Sequence, residues 1–195
     1  MIRAFQEIKA ELKNRRKNVS ALRDDEGRAV VDFRVNNDDE FLSPYSVGNH
    51  DVIAQDVAEF IEGRLSTLPV EEHVRLRIHS DVISKREEKI YEQAIRDYYA
   101  DKYESVRQEK RRLSVMALVM AIIGVLALTV MIALEVFALR TSVILEVIDI
   151  FAWVFLWESV DLFFFECTAL RIKQKRYLSV IESVVEYLPL TKKEK

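Results

Sequence analysis

Near the start of the chain, apolar residues recur at helical spacing. Ile2, Phe5, Ile8 and Leu12 would share one face of a short amphipathic helix over Met1–Asn14. The segment AVVDFRV, Ala29–Val35, alternates apolar with polar residues and is rich in β-branched side chains, which predicts a strand. Asn36–Asp51 has no period and carries loop residues. Helical spacing returns over Asp51–Leu65, with Val52, Ile53, Val57, Phe60 and Ile61 on one side. Alternation returns over Glu71–Ser80, where Val74, Leu76 and Ile78 face one way and Arg75, Arg77 and His79 the other. From Val82 to Arg112 the pattern is helical again, with an apolar stripe of Ile83, Ile90, Ala94, Tyr98 and Val106 and no Gly or Pro to stop it.

At Leu113 the periodicity gives way to uniform apolarity. Leu113–Leu134 reads LSVMALVMAIIGVLALTVMIAL, 22 residues without a charge. At about 1.5 Å per residue this is about 33 Å of helix, enough to cross a hydrocarbon core of about 30 Å. A second apolar run, Val143–Leu170, is interrupted by Glu146, Asp149, Glu158, Asp161 and Glu166. The connection EVFALRTS holds no Gly or Pro, which predicts a tight turn and antiparallel helices. The expected fold is an α+β membrane protein. A two-helix transmembrane hairpin (111–170, spans about 113–136 and 143–166) extends its long helices into a small cytoplasmic α/β domain (1–110). That domain runs helix–strand–helix–strand–long helix, and its two-stranded sheet would be marginal alone. In the C-terminal part (171–195), Arg171–Tyr187 reads as further helix that ends at Pro189.

Charge sets the orientation. Residues 1–112 carry 21 Lys/Arg and 23 Asp/Glu, whereas Leu113–Leu139 has Glu135 as its sole ionisable residue. Arg107, Lys110, Arg111 and Arg112 precede the first run, and Arg171, Lys173, Lys175 and Arg176 follow the second; the connection has Arg140 alone. Basic residues at span ends mark the cytoplasmic side, so both termini are expected in the cytoplasm. A net charge of −3 offers no attractive field for nucleic acid. Cys167, the single cysteine, allows no intrachain disulfide; it reads as a small buried hydrophobe, eligible for palmitoylation by its juxtamembrane place. The N-terminus lacks the apolar core of a cleaved signal.

Catalytic motifs do not appear. His50, His73 and His79 have no zinc-site spacing, and the four glycines make no phosphate or dinucleotide loop. Asp38, Asp39 and Glu40 lack the spacing of an EF-hand. Neither a metal nor a cofactor is therefore expected, and no enzyme activity is indicated. What stands out is the acidic residues of the second run. At about 100° per residue, with Glu146 at zero, Asp149 lies near −60°, Asp161 near +60° and Glu158 near +120°, while Glu166 falls outside this arc. A carboxylate at mid-bilayer depth costs about 2.5–3.5 kcal/mol, so such groups face protein, water or a countercharge. Arg140 is the expected partner of Glu146, and Arg111, Arg112 or a neighbouring copy's Arg171 of Asp161 and Glu166. Asp149 and Glu158 are deeper, and a single hairpin cannot shield them.

Three readings follow: interhelical hydrogen bonding, an acid-lined path for cations, or a peripheral second helix. Besides membrane lipid, the expected partners are further copies of the chain and a cytoplasmic protein. The leading function is a homo-oligomeric, channel-like cation-conducting assembly, with a membrane-anchored adaptor as the alternative. The segment DIFAWVFLWESVDLFFFE with the basic helix after it resembles bacterial two-span inner-membrane proteins, over the C-terminal quarter of the chain. The resemblance implies the bacterial inner membrane and brings no activity with it.

Overall fold

The strand Val74–His79 lies at the centre of a three-stranded, fully parallel sheet. In chain order the elements are β1 (Ala29–Arg34), α1 (Gln55–Thr67), β2 (Val74–His79), α2 (Lys85–Val136), α3 (Ser142–Asp161), a π turn (Leu162–Glu166), α4 (Cys167–Ile181) and β3 (Val184–Leu188). This computed structural model describes residues 23–37, 40–46, 51–136 and 142–190. The expected helix over Met1–Asn14, Asp38, Asp39, His50, Arg140 and the tail TKKEK lie outside them. The described residues of Met1–Tyr103 with Lys175–Lys195 form one compact unit, and those of Glu104–Gln174 a second.

In the first unit the alternation along β2 does what its pattern predicts. Val74, Leu76 and Ile78 are buried, and the register sets Ala29 beside Val74, Val31 beside Leu76 and Phe33 beside Ile78. On that face pack Ile61 of α1, Ile95 and Tyr99 of α2 and Val180 of α4, none more than 1% exposed. The Tyr99 hydroxyl donates to the Ala58 carbonyl at 3.2 Å, and that of Tyr187 to the Glu88 carbonyl at 2.9 Å, so both buried phenols are satisfied. Burial, reinforced by nearby carboxylates, pushes both phenols above their ordinary range and keeps them neutral.

The other face of the sheet is charged. Arg77 Nε lies 3.0 Å from Glu186 Oε2 on β3, and Arg75 Nε 3.1 Å from Asp24 Oδ2. His79 Nε2 lies 3.4 Å from Asp32 Oδ1 on β1. Arg75 and Arg77 thus face carboxylates, and His79 lies beside Asp32 across the β1–β2 pairing.

Two boundaries differ from expectation. Helix α1 starts at Gln55, not Asp51, because Ser43 N bonds Val52 O and Ala54 N bonds Phe41 O, each at 2.8 Å. That bridge holds residues 52–54 extended. The second difference changes the sheet. Arg171–Tyr187 was expected to be helical throughout, yet the helix closes at Ile181 and Val184–Leu188 is a strand. VVEYL carries β-branched and aromatic residues at period two, and a free edge on β2 captures it. The sheet therefore has three strands, not two.

Helix α2 begins in a cap, with Ser84 N donating to Glu87 Oε2 at 2.7 Å. Hydrogen bonding with Ser84 holds the Glu87 carboxyl below its usual range. At the entrance to β1, Asp24 closes a turn through Gly27, whose φ is 78°. Its carboxylate accepts from the backbone N–H of Glu26 at 3.0 Å and of Arg28 at 2.7 Å. Burial opposes ionisation of Asp24, but the Arg28 backbone bond and the Arg75 and Arg28 guanidiniums outweigh it and lower its pKa below 3.8.

A carboxyl with a depressed folded-state pKa adds stability above its unfolded pKa and loses it as pH falls through the folded value. Asp24→Asn should therefore lower stability at neutral pH and flatten its loss below about pH 4, where the wild type declines. Denaturant midpoints measured from pH 3 to 7 check this; parallel wild-type and variant curves would remove Asp24 from the account.

Candidate functional site

In the second unit, α2 and α3 touch where side chains are smallest. A Cβ built on Gly124 would lie 2.7 Å from Leu156 Cγ and 3.2 Å from the Ala152 carbonyl oxygen. Ala117 is 1% exposed and Ala152 fully buried. Nearer the start of the pair, Lys110 Nζ donates to Gln174 Oε1 on α4 at 2.8 Å, and Cys167 Sγ lies 4.0 Å from the Lys110 carbonyl. Residue 110 thus meets 167–174 and residue 124 meets 152–156, so the two helices run antiparallel. Small residues at the crossing allow the backbones to approach closely.

The outward surfaces are apolar. The most apolar stretch of 18 residues in α2 has a mean hydropathy of 2.9 and is 11% buried. Among the described residues, α2 is the one helix long and apolar enough by composition to cross a membrane. On α3 and the π turn, Ile150, Trp153, Trp157, Phe164 and Phe165 are each more than 60% exposed.

Within this apolar surface the structure leaves the carboxylates open. Glu146, Glu158, Asp161 and Glu166 are exposed and Asp149 is half-buried. None has a hydrogen bond or ion pair to any described residue. The expected pairing of Asp161 and Glu166 with Arg111 or Arg112 does not occur among the described residues; Arg140 and a neighbouring copy's Arg171 lie outside them. Thr129 Oγ1 donates to Val125 O at 2.8 Å and so turns back on its own helix.

The π turn moves Glu166. Cys167 N–H reaches back five residues to Leu162 O, the bond that defines one inserted residue. In a regular helix Glu166 would lie near 200° on the scale with Glu146 at zero; one inserted residue sets it back by about 100°. Glu166 then lies near 100°, between Asp161 and Glu158, so it belongs to the acidic arc from which the regular periodicity excluded it. The signal was absent from the sequence, because LFFFE shows nothing that separates a π from an α turn.

The basic residues divide. Lys175 Nζ lies 3.3 Å from Glu71 Oε1, and Arg176 donates to the Ser66 carbonyl at 3.2 Å, so both serve the α/β unit. Arg107 pairs with Glu104 at 3.1 Å. Arg111, Arg112, Arg171 and Lys173 are exposed and have no ion-pair partner among the described residues. Arg107, Lys110 and Arg111 line an open cleft of about 740 Å³ beside α3 and the π turn, with Ser114, Ser159 and Phe163. Of these, Ser159 and Phe163 carried no sequence signal, because facing α2 across the cleft depends on how the two helices pack.

No protein-family model matches the chain, and neither does any curated protein or solved structure. The assignment of function rests on this chain's own chemistry.

Leu156 can swing away from a side chain at position 124, but the Ala152 carbonyl cannot. Gly124→Leu should destabilise the helix pair by about 1–3 kcal/mol, the usual cost of overpacking, and Gly124→Ala by less. Thermal unfolding in detergent reads the order; a Gly124→Leu midpoint equal to wild type would show that the close crossing is dispensable.

Proposed function

We propose that the protein is an integral membrane protein whose helical hairpin self-associates, so that the acidic sides of several α3 helices enclose a path for cations. The observation that carries this reading is the open set of carboxylates on an apolar helix. A group that costs about 2.5–3.5 kcal/mol in hydrocarbon needs a partner or water, and the described residues supply no partner. Further copies supply both shielding and an acidic, water-filled interior, which favours cations.

The sheet supports two crossings rather than one. β2 precedes α2 and β3 follows α4, yet the two strands are hydrogen-bonded neighbours. A sheet cannot straddle a bilayer, so the chain between His79 and Val184 crosses an even number of times. If α2 crosses, α3 must return, whatever its carboxylates cost. The basic residues at both outer ends then set the α/β unit in the cytoplasm. A bacterial inner membrane is the setting that the resemblance over the C-terminal region suggests.

Reconstituted in liposomes, the protein should pass monovalent cations in preference to anions. Glu158→Ala with Asp161→Ala should cut that flux several-fold, while the assembly keeps its detergent-corrected mass. Undiminished flux in the double variant would sink the acidic path.

A second reading is a membrane-anchored adaptor, favoured by a groove of about 600 Å³ at the carboxyl end of β1. Phe33, Phe41, Leu42, Val57 and Phe60 line it, and Phe60 is 40% exposed. Carboxyl ends of parallel strands are where α/β sheets take ligands. A fragment ending before the hairpin would lack β3, so the test uses the whole chain. Phe60→Ala should abolish recovery of one defined partner from detergent extracts, and an unchanged set of recovered proteins would leave the groove without a role.

A further inference from the structure

We infer that the cleft between α2 and the π-turn region is a binding site for an anionic phospholipid, seated with its phosphate on Arg107 and Arg111. The inference rests on the membrane reading above and adds a specific ligand to it.

The lining changes character in one direction along α2. Arg107, Lys110 and Arg111 come first, then Ser114, then Val115 and Leu118. The facing wall runs antiparallel to it, setting the ring of Phe163 nearer the basic end and the hydroxyl of Ser159 deeper. Cation, hydroxyl and hydrocarbon in that order reproduce the phosphate, glycerol and acyl segments of a phospholipid. Arg107, Arg111, Ser114 and Leu118 are separated by four, three and four residues, which keeps them on one helix face. A lipid lying along that face meets all of them together.

Charge complementarity selects the headgroup. Arg111 has no ion-pair partner among the described residues, and its planar guanidinium suits bidentate phosphate contact. Lys110 is already committed to Gln174, so its ammonium adds field rather than a free donor. Glu104 shares the rim and pairs with Arg107 at 3.1 Å. A zwitterionic headgroup would bring a second cation into this basic rim, whereas a singly anionic glycerophospholipid adds none. The Arg107–Glu104 pair is exposed, and an exposed pair of this kind opens at little cost.

The test uses the full chain, purified in mild detergent and offered phosphatidylglycerol and phosphatidylcholine at equal concentration before native mass spectrometry. Phosphatidylglycerol should be retained preferentially. Arg107→Gln with Arg111→Gln should lower that retention about ten-fold, as expected when two juxtamembrane cations are lost. Arg171→Gln with Lys173→Gln, outside the cleft, should leave it within about two-fold of wild type. Ala121→Phe, which fills the apolar end, should weaken retention with every basic residue in place.

Equal retention of the two lipids, or equal loss in the two basic variants, would overturn the site. So would complete displacement by glycerol phosphate, because the occupant would then be a free phosphate. Flotation with neutral phosphatidylcholine vesicles after alkaline washing separates the two levels of inference. A chain that floats but shows no lipid preference loses only the site, and a chain that does not float loses the membrane reading itself.

Discussion

The ladder between β2 and β3 is the constraint on which the rest depends. Parallel neighbours cannot be joined by a hairpin turn; the chain must leave one end of the sheet and return to the other. In most α/β proteins a single helix makes that journey. Here the connection between His79 and Val184 contains a 52-residue helix, a second helix antiparallel to it and a π turn. The helical pair is therefore an expanded crossover, tied at both ends to adjacent strands. Its antiparallel arrangement is fixed by the contacts of Gly124 with Ala152 and Leu156 and of Lys110 with Gln174.

Much of this was legible in the sequence, for definable reasons. β2 alternates cleanly because one of its faces is buried and the other charged, β1 declares itself by its β-branched run, and their bounds match within a residue or a few. The apolar run from Leu113 declares itself because soluble cores seldom hold so long a segment. β3 was hidden. Five residues with two valines and a tyrosine suit a strand or the last turn of a helix, and the deciding fact, an open edge on β2, lies more than a hundred positions away in the chain. The helix-like spacing of Tyr177, Ile181, Val184 and Val185 made the continuous helix persuasive, although the first pair packs from α4 and Val185 from the sheet.

The candidate site was half legible. Composition alone exposed the carboxylates, and hydrocarbon chemistry made them suspicious. Pairing with Arg111 or Arg112 was inferred from their place at the same end of the apolar runs, and the described residues do not make it. The structure spends Lys175 and Arg176 on the α/β unit, so the basic collar is less uniform than it reads. Glu166 was misplaced because a constant 100° per residue fails across one π turn. The cleft beside Ser159 and Phe163 needs the register of two helices, which is fixed by Gly124, Ala152 and Leu156.

The position of β3 also imposes an order in time. A ribosome releases β1, α1 and β2 first, then the long apolar helix and its return, and β3 only after both. Until then one edge of β2 shows unpaired N–H and C=O groups, and the buried faces of Ile78 and Tyr99 lack Val180 and Tyr187 as neighbours. The α/β unit cannot close on schedule as an independent module. Its completion waits for the whole helical pair to be made, and a chain cut short before Val184 leaves that edge of β2 unpaired.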